Sequence, residues 1–185
     1  MRGFITPVRI TLASALFGAF LMIGGCARQP KAADVSSNVR NALNQAGLKD
    51  VSVTEDRDKG VVTLGGKVIS DDQKSQADSI AKSNAGNLVV ANEVAVVPPN
   101  DASAAKTVNS DVDAGIKKNL DAALVQNRLN KVVKYSVKNG VVTLKGSVNS
   151  QGARSQAENI ASQVPNVTQV VNELDVRYSR ATSQK

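Results

Sequence analysis

Hydrophobic and polar residues follow the same pattern twice in the chain beyond residue 34. Each copy starts with apolar residues at helical spacing: Val35, Val39 and Leu43 in the first copy, and Val112, Ile116 and Leu120 in the second. Two alternating segments follow, then a second helical stripe and a last alternating segment. This order predicts an α-β-β-α-β fold for each copy.

The second half of each copy is an internal repeat. Residues 60–96 and 140–176 align without a gap, and 17 of the 37 positions are identical. Asn139-Gly140 is a strong signal for a hairpin turn, and Lys59-Gly60 is a weaker one. Since a strand–helix–strand crossover is parallel and a hairpin is antiparallel, we predict an α+β fold. It consists of two tandem domains, each a three-stranded mixed sheet with two helices on one face.

Residue parity along the strands predicts which positions face the helices. Gly66 and Gly146 share the parity of the inward apolar residues, so we interpret them as places where a helix packs close to the sheet. Asn92 and Asn172 also lie on the inward parity. A buried hydrogen bond or a bulge is favoured there over a ligand site.

The predicted domain limits follow from these elements. Domain 1 spans residues 34–97, domain 2 spans residues 110–178, and residues 179–185 form a tail. Asp34 and Asp111 are good N-cap residues for the first helix of each copy. Residues 98–109 contain Pro, Asn, Ser and Ala, which is typical of a connector without a core of its own.

Residues 1–25 have the organisation of an export signal. Arg2 and Arg9 precede an uninterrupted apolar and small-residue run over residues 10–22, and glycines follow it. The run is shorter than the ~20 residues that a spanning helix needs, which makes an uncleaved membrane anchor the weaker alternative.

The residues after this run resemble the lipobox of bacterial lipoproteins. The motif is Ile23-Gly24-Gly25-Cys26, and Cys26 is the single cysteine of the chain. The resemblance implies cleavage before Cys26 and acylation of its thiol and amine, with residues 26–33 as the lipidated N-terminus and tether. Ala27 stands where an Asp would often signal inner-membrane retention, so the resemblance implies the periplasmic side of the outer membrane.

The repeated segments resemble the BON domain of bacterial envelope proteins. The pattern of a glycine turn, Val-x-Leu-x-Gly-x-Val and a final Val-x-Asn-x-Leu/Val-x-Val is met by residues 60–68 and 90–96, and by residues 140–148 and 170–176. The resemblance implies a dual-BON lipoprotein that is not an enzyme. It also implies phospholipid binding and a role in envelope integrity or osmotic-stress tolerance.

Composition excludes several other classes of function. The chain has no histidine, and aromatic residues make up only 3% of it. Catalytic triads and Cys/His zinc sites therefore cannot form, and we expect no catalytic residues, no metal and no cofactor. Nucleic acid is a poor partner despite a pI of about 9.7, because stacking platforms need several aromatic faces.

Charge differs between the two copies. Residues 34–97 contain seven Lys and Arg against nine Asp and Glu, whereas residues 110–178 contain nine against six. Lys117 and Lys118 lie opposite the predicted core stripe, and Arg128 follows at the helix end. Basic residues near an anionic bilayer contribute about 1 kcal/mol each. The BON resemblance places lipid contact on the same helix, at Ala114, Lys117, Lys118, Asp121 and Val125.

Two interpretations of this helix remain open. Lys117 and Lys118 either contact anionic phospholipid or form a solvated helix face. For the whole protein, the alternative to lipid binding is an adaptor for envelope proteins or peptidoglycan. A holdase would need an exposed apolar patch, which the sequence does not show.

Overall fold

The computed structural model describes residues 35–100 and 102–177. The expected export signal, Cys26 with its tether, Asp34 and the C-terminal tail lie outside the described residues. The first repeat contains, in chain order, α1 Ser36–Gln45, β1 Val51–Asp56, β2 Val61–Val68, α2 Asp71–Asn84, β3 Val89–Asn92 and β4 Ala95–Val96. The second contains α3 Ala102–Gln126, β5 Val133–Lys138, β6 Val141–Val148, α4 Gln151–Ser162, β7 Gln169–Asn172 and β8 Asp175–Val176.

Each repeat forms the predicted mixed sheet. β1 pairs antiparallel with β2, and β3 and β4 both pair parallel with β2. The same arrangement recurs for β5 to β8 around β6. β3 and β4 are two parts of one expected strand, interrupted at Glu93 and Val94. The α+β fold with a central hairpin strand is therefore confirmed.

Both helices of a repeat pack on one face of its sheet. In the first repeat the core joins Val39 and Leu43 of α1 and Ala77 and Ala81 of α2 to the inward residues of the strands. The second core has equivalent members from α3, α4 and their strands. Its helical stripe is Ile116, Leu120 and Leu124; Val112, expected in the stripe, is 36% exposed.

The interpretation of Gly66 and Gly146 as helix-packing positions is wrong. Gly66 has φ +91°, and a Cβ there would lie 2.1 Å from the carbonyl oxygen of Asp50. At Gly146, with φ +122°, it would lie 2.3 Å from the carbonyl oxygen of Val132. In both cases the close neighbour is the backbone carbonyl group just before the paired strand, which is β1 for Gly66 and β5 for Gly146. Each glycine thus allows two adjacent segments of the sheet to approach each other.

The two hairpins use different turns. Asn139 and Gly140, with φ +49° and +80°, form the predicted two-residue turn between β5 and β6. Four residues join β1 to β2; there, Oδ1 of Asp56 accepts hydrogen bonds from the backbone N–H groups of Asp58 and Lys59. Asn-Gly supplies two residues that tolerate positive φ, whereas Lys-Gly supplies one.

The expected start of the second repeat's first helix at Asp111 is wrong. α3 begins at Ala102 and runs for 25 residues, so most of the expected connector is helical. The connector contains Ala102, Ala104 and Ala105, and alanine has the highest helix propensity. Among the described residues, the non-helical part of the connector is limited to Pro98 and a turn at Pro99 and Asn100.

The outer faces of the two sheets pack against each other. Val61 and Ala91 of the first repeat form one buried cluster with Val141 and Val171 of the second. All described residues belong to one compact unit. The helices therefore cover the outside of a double layer of sheets, and the two repeats share a second apolar contact between those layers.

Polar contacts between the repeats are reciprocal. Near the first hairpin, Lys59 Nζ lies 2.9 Å from each carboxylate oxygen of Asp175. Near the second hairpin, Asn139 Nδ2 donates to the carbonyl oxygen of Glu93 at 2.8 Å, and Lys138 Nζ lies 3.1 Å from Glu93 Oε2. The second hairpin thus contacts the break between β3 and β4, and the first hairpin contacts the residue that follows the break between β7 and β8.

Candidate functional site: the outer face of α3 and its C-terminal end

The repeated Asn-Glu pairs have a structural role. Asn92 is 6% exposed; its Oδ1 accepts from the backbone N–H of Val94, and its Nδ2 donates to the carbonyl oxygen of Lys74. Asn172 makes the same two kinds of contact in the second repeat. The prediction of a buried hydrogen bond is confirmed: each Asn joins the broken strand to the helix above it.

The predicted lipid-contact residues of α3 are all exposed. Ala114, Lys117, Lys118, Asp121 and Val125 project away from the core stripe, and Val125 is 57% exposed. They span three helical turns, about 16 Å along the axis. The set is not uniform, because Lys117 also lines a cleft against the first repeat. Ala114, Lys118, Asp121 and Val125 form the part that we call the outer face.

Asp121 is associated with the only aromatic side chain of the described residues. The Tyr135 hydroxyl donates to the carbonyl oxygen of Lys117 at 3.2 Å. Desolvation, and then the adjacent Asp121 carboxylate, raise the pKa of the Tyr135 phenol above its usual range. The negative charge of Asp121 therefore lies on the β5 side of the outer face.

Arg128 lies where the helix ends. It has φ +58°, and the corresponding residue after α1 is Gly47 with φ +79°. In both repeats this residue and the next donate to carbonyl groups of the last helical turn, which closes the helix in the same way. An arginine in this position is strained, since side chains other than Gly disfavour the left-handed region.

Arg128 also lines a cavity of about 460 Å³ at the end of the second sheet. Leu129, Val132 and Val148 supply apolar walls, and Arg177 supplies a second guanidinium group. In the first repeat, Gly47 and Val97 occupy the positions of the two arginines. The two arginines are therefore specific to the second repeat, whereas Lys49, Asp50 and Lys67 are the charged residues of the first repeat's cavity.

Sequence reasoning missed Val132 as an exposed apolar residue. Val132 is 44% exposed and precedes Val133, which is buried. The sequence signal is the Val132-Val133 pair. Consecutive side chains of an extended segment point to opposite faces, so only one of these two valines can face the core. We use the name basic tip for the exposed residues around the end of α3: Val125, Arg128, Lys131, Val132 and Lys134.

Other candidate chemistry is limited to structural roles. Asp71 and Asp72 lie in the first turn of α2, behind the N-cap Ser70, as expected for capping and dipole compensation. Among residues 35–100 and 102–177, no three His, Cys, Asp or Glu side chains could hold a metal ion together. No helix in this part of the chain has the length and apolar character needed to cross a bilayer.

Known proteins share this sequence pattern. The BON domain family matches residues 31–98 and 112–178. Osmotically-inducible protein Y of Escherichia coli (strain K12) is 30% identical over 146 residues, which cover 77% of this chain and 71% of that protein.

Two solved structures of CdsD, a structural protein of the type III secretion system of Chlamydia trachomatis, are more remote. Both are 18% identical to this chain, with TM-scores of 0.33 and 0.31, and one is the C-terminal domain. The matches cover 79% and 76% of this chain but only 63% of each of theirs. The assignment therefore rests on the two matched repeats and the identity to the E. coli protein: the chain belongs to the BON-domain family and carries two BON domains.

Proposed function

We propose that this protein is a non-catalytic envelope lipoprotein that docks on anionic phospholipid through its second BON domain. Acyl chains on Cys26 would hold it at the periplasmic side of the outer membrane. The outer face of α3 and the basic tip would then contact the headgroups reversibly. The name of the osmotically-inducible relative supports a role in osmotic-stress tolerance.

The basic tip is the observation that carries this proposal. It combines three exposed cations with two exposed valines at one end of the domain. Each cation near an anionic surface contributes about 1 kcal/mol, and Lys118 adds a fourth. The valines compensate for the absence of aromatic residues on α3, since they offer apolar contact without a hydrogen-bonding requirement.

Weak docking is sufficient if the protein is already tethered. Two or three acyl chains hold a protein on a membrane almost permanently, because each buried CH₂ contributes ~0.8 kcal/mol. The tether raises the effective concentration of the second domain at the surface. Binding and release of the domain can then respond to lipid charge and to ionic strength.

Vesicle flotation with residues 27–185 tests the proposal in the absence of the anchor. This chain retains the complete compact unit. We expect binding to phosphatidylglycerol vesicles that fades as salt rises. The Lys118→Glu, Lys134→Glu pair should weaken binding at least about tenfold without lowering the melting temperature. The control is Lys82→Glu on α2 of the first domain.

Equal binding of wild type and the double variant would refute the outer face of α3 and the basic tip as the docking surface. Binding to phosphatidylcholine vesicles with the same affinity would refute electrostatic docking altogether. Capture of an envelope protein or of peptidoglycan, with no vesicle binding, would favour the adaptor alternative.

A further inference from the structure

A lysine-lined cleft lies between the first BON domain and α3. Its volume is about 510 Å³, within the range of small-molecule sites. Four lysines from three elements surround it: Lys67 at the end of β2, Lys106 and Lys117 on α3, and Lys138 at the end of β5. Only the helical form of the linker brings Lys106 to this place.

Most of this positive charge has no partner in the protein. Among the described residues, Lys138 alone of the four has an ion pair, with Glu93. Asp113 is the one carboxylate that lines the cleft in the described part of the chain. Its two oxygens accept the backbone N–H groups of Asn139 and Gly140 at 2.8 and 2.9 Å, so it is committed to the hairpin turn.

The lysines are not part of the repeated scaffold. Lys67 corresponds to Ser147 in the other repeat, and Lys138 corresponds to Asp56. Lys106 precedes the repeated segment and has no counterpart. The cleft is therefore a feature of the two-domain protein, absent from a single repeat.

We propose that this cleft binds a phosphate-bearing anion. Like charges that converge on a cavity repel each other, and a bound anion relieves that repulsion. Lysine binds phosphate as a point charge with three donors, and hydrogen bonds to charged groups are stronger than neutral ones. Asn109, Ser110 and Asn139 line the same cleft and supply neutral polar groups.

The site is distinct from the basic tip. Lys117 lies beside the outer face of α3 but is not part of the basic tip, and Lys67, Lys106 and Lys138 belong to the cleft alone. Two sources of the same chemistry fit: a soluble phosphorylated compound, and the headgroup of a lipid. The proposal does not need the docking function, because the cleft can be measured in solution.

Calorimetric titration of residues 27–185 with inorganic pyrophosphate tests the cleft without any vesicle. We expect saturable binding, and backbone amide shifts at Ser110 and Asn139 in NMR spectra. Lys67→Ser, which installs the residue of the other repeat, should reduce affinity at least about fivefold. Lys67→Ser with Lys106→Gln should reduce it further, while the control Lys82→Ser should retain wild-type affinity.

A competition arm separates the two sources. If pyrophosphate in the cleft displaces the protein from phosphatidylglycerol vesicles, the lipid headgroup occupies the cleft. If the protein binds pyrophosphate and vesicles at the same time, the ligand of the cleft is a soluble compound. The proposal is overturned if pyrophosphate fails to bind at millimolar concentration. It is equally overturned if Lys67→Ser binds as tightly as wild type, or if the NMR shifts lie away from Ser110 and Asn139.

Discussion

Gln169 binds the open edge of the first domain's sheet at Asn92. Its Oε1 accepts the backbone N–H of Asn92 at 3.0 Å, and its Nε2 donates to the carbonyl oxygen of Val90. A side-chain amide of the second domain thus takes the place of a peptide group from a neighbouring strand. This satisfies a half-buried edge that would otherwise leave a donor and an acceptor unpaired.

Gln169→Leu should therefore destabilise the protein although leucine has a similar size. The variant leaves the N–H of Asn92 and the carbonyl group of Val90 without partners, at a cost of about 1–3 kcal/mol. Urea denaturation measures the loss. Gln151→Leu, at an exposed position of α4, is the control. An equal effect of both variants would show that the bridge contributes nothing.

Gly66→Ala should lower the free energy of unfolding by at least about 3 kcal/mol, since a methyl group would overlap the Asp50 carbonyl oxygen at a positive φ. Gly146→Ala should have the same effect. Gly65→Ala is a matched control one residue away, because its Cβ meets only the hydroxyl group of Ser52, which can rotate. Thermal melts of the three variants distinguish backbone crowding from general sensitivity of β2; similar losses in all three would contradict the explanation.

Arg128→Gly should stabilise the protein by about 0.5–1 kcal/mol. Glycine relieves the left-handed strain at φ +58°, and its larger unfolded-state entropy offsets part of the gain. Arg128→Ala retains a Cβ and should not stabilise. Both variants remove the same charge and should weaken vesicle binding equally. A higher melting temperature for Ala than for Gly would refute the strain.

Acid should weaken the contact between Lys59 and Asp175. The hydrogen bond and charge of the Lys59 ammonium hold the pKa of the Asp175 carboxyl below its ordinary value of 3.8. A carboxyl whose pKa is lowered by folding stabilises the protein above its unfolded pKa. That stabilisation is lost as the pH falls through the lower pKa that the carboxyl has in the folded protein. NMR titration of the Asp175 carboxyl should show its pKa rising in Lys59→Gln and unchanged in Lys138→Gln; an unchanged pKa in Lys59→Gln would exclude the pair in solution.

The repeat and its secondary structure could be predicted because they depend on local patterns. Alternation at Val62 and Leu64, the Asn139-Gly140 turn and the caps at Ser70 and Ser150 each act within a few residues. The outward position of Lys118 followed in the same way, from helical periodicity on α3. These features need no knowledge of how the domains pack.

The relation between the domains could not be predicted from such patterns. Alternation along β2 and β6 does not show that Val61 and Val141 contact each other. The linker that begins with Pro98 and Pro99 was predicted to be a connector from its composition. The alanines after these prolines instead begin α3. The lysine cleft depends on the packing of the two domains and on the helical form of the linker. Neither repeat alone therefore contains a sequence pattern that predicts it.

The sheet-to-sheet cluster has a consequence for the origin of the molecule. Val61 and Val141 occupy the same place in the repeat, and so do Ala91 and Val171, so one patch meets its own copy. Self-complementary patches of this kind define isologous twofold dimers. Duplication of a unit with such a patch would place the dimer on a single polypeptide. Its two halves are then free to diverge, so that one can accumulate cations while the other becomes acidic.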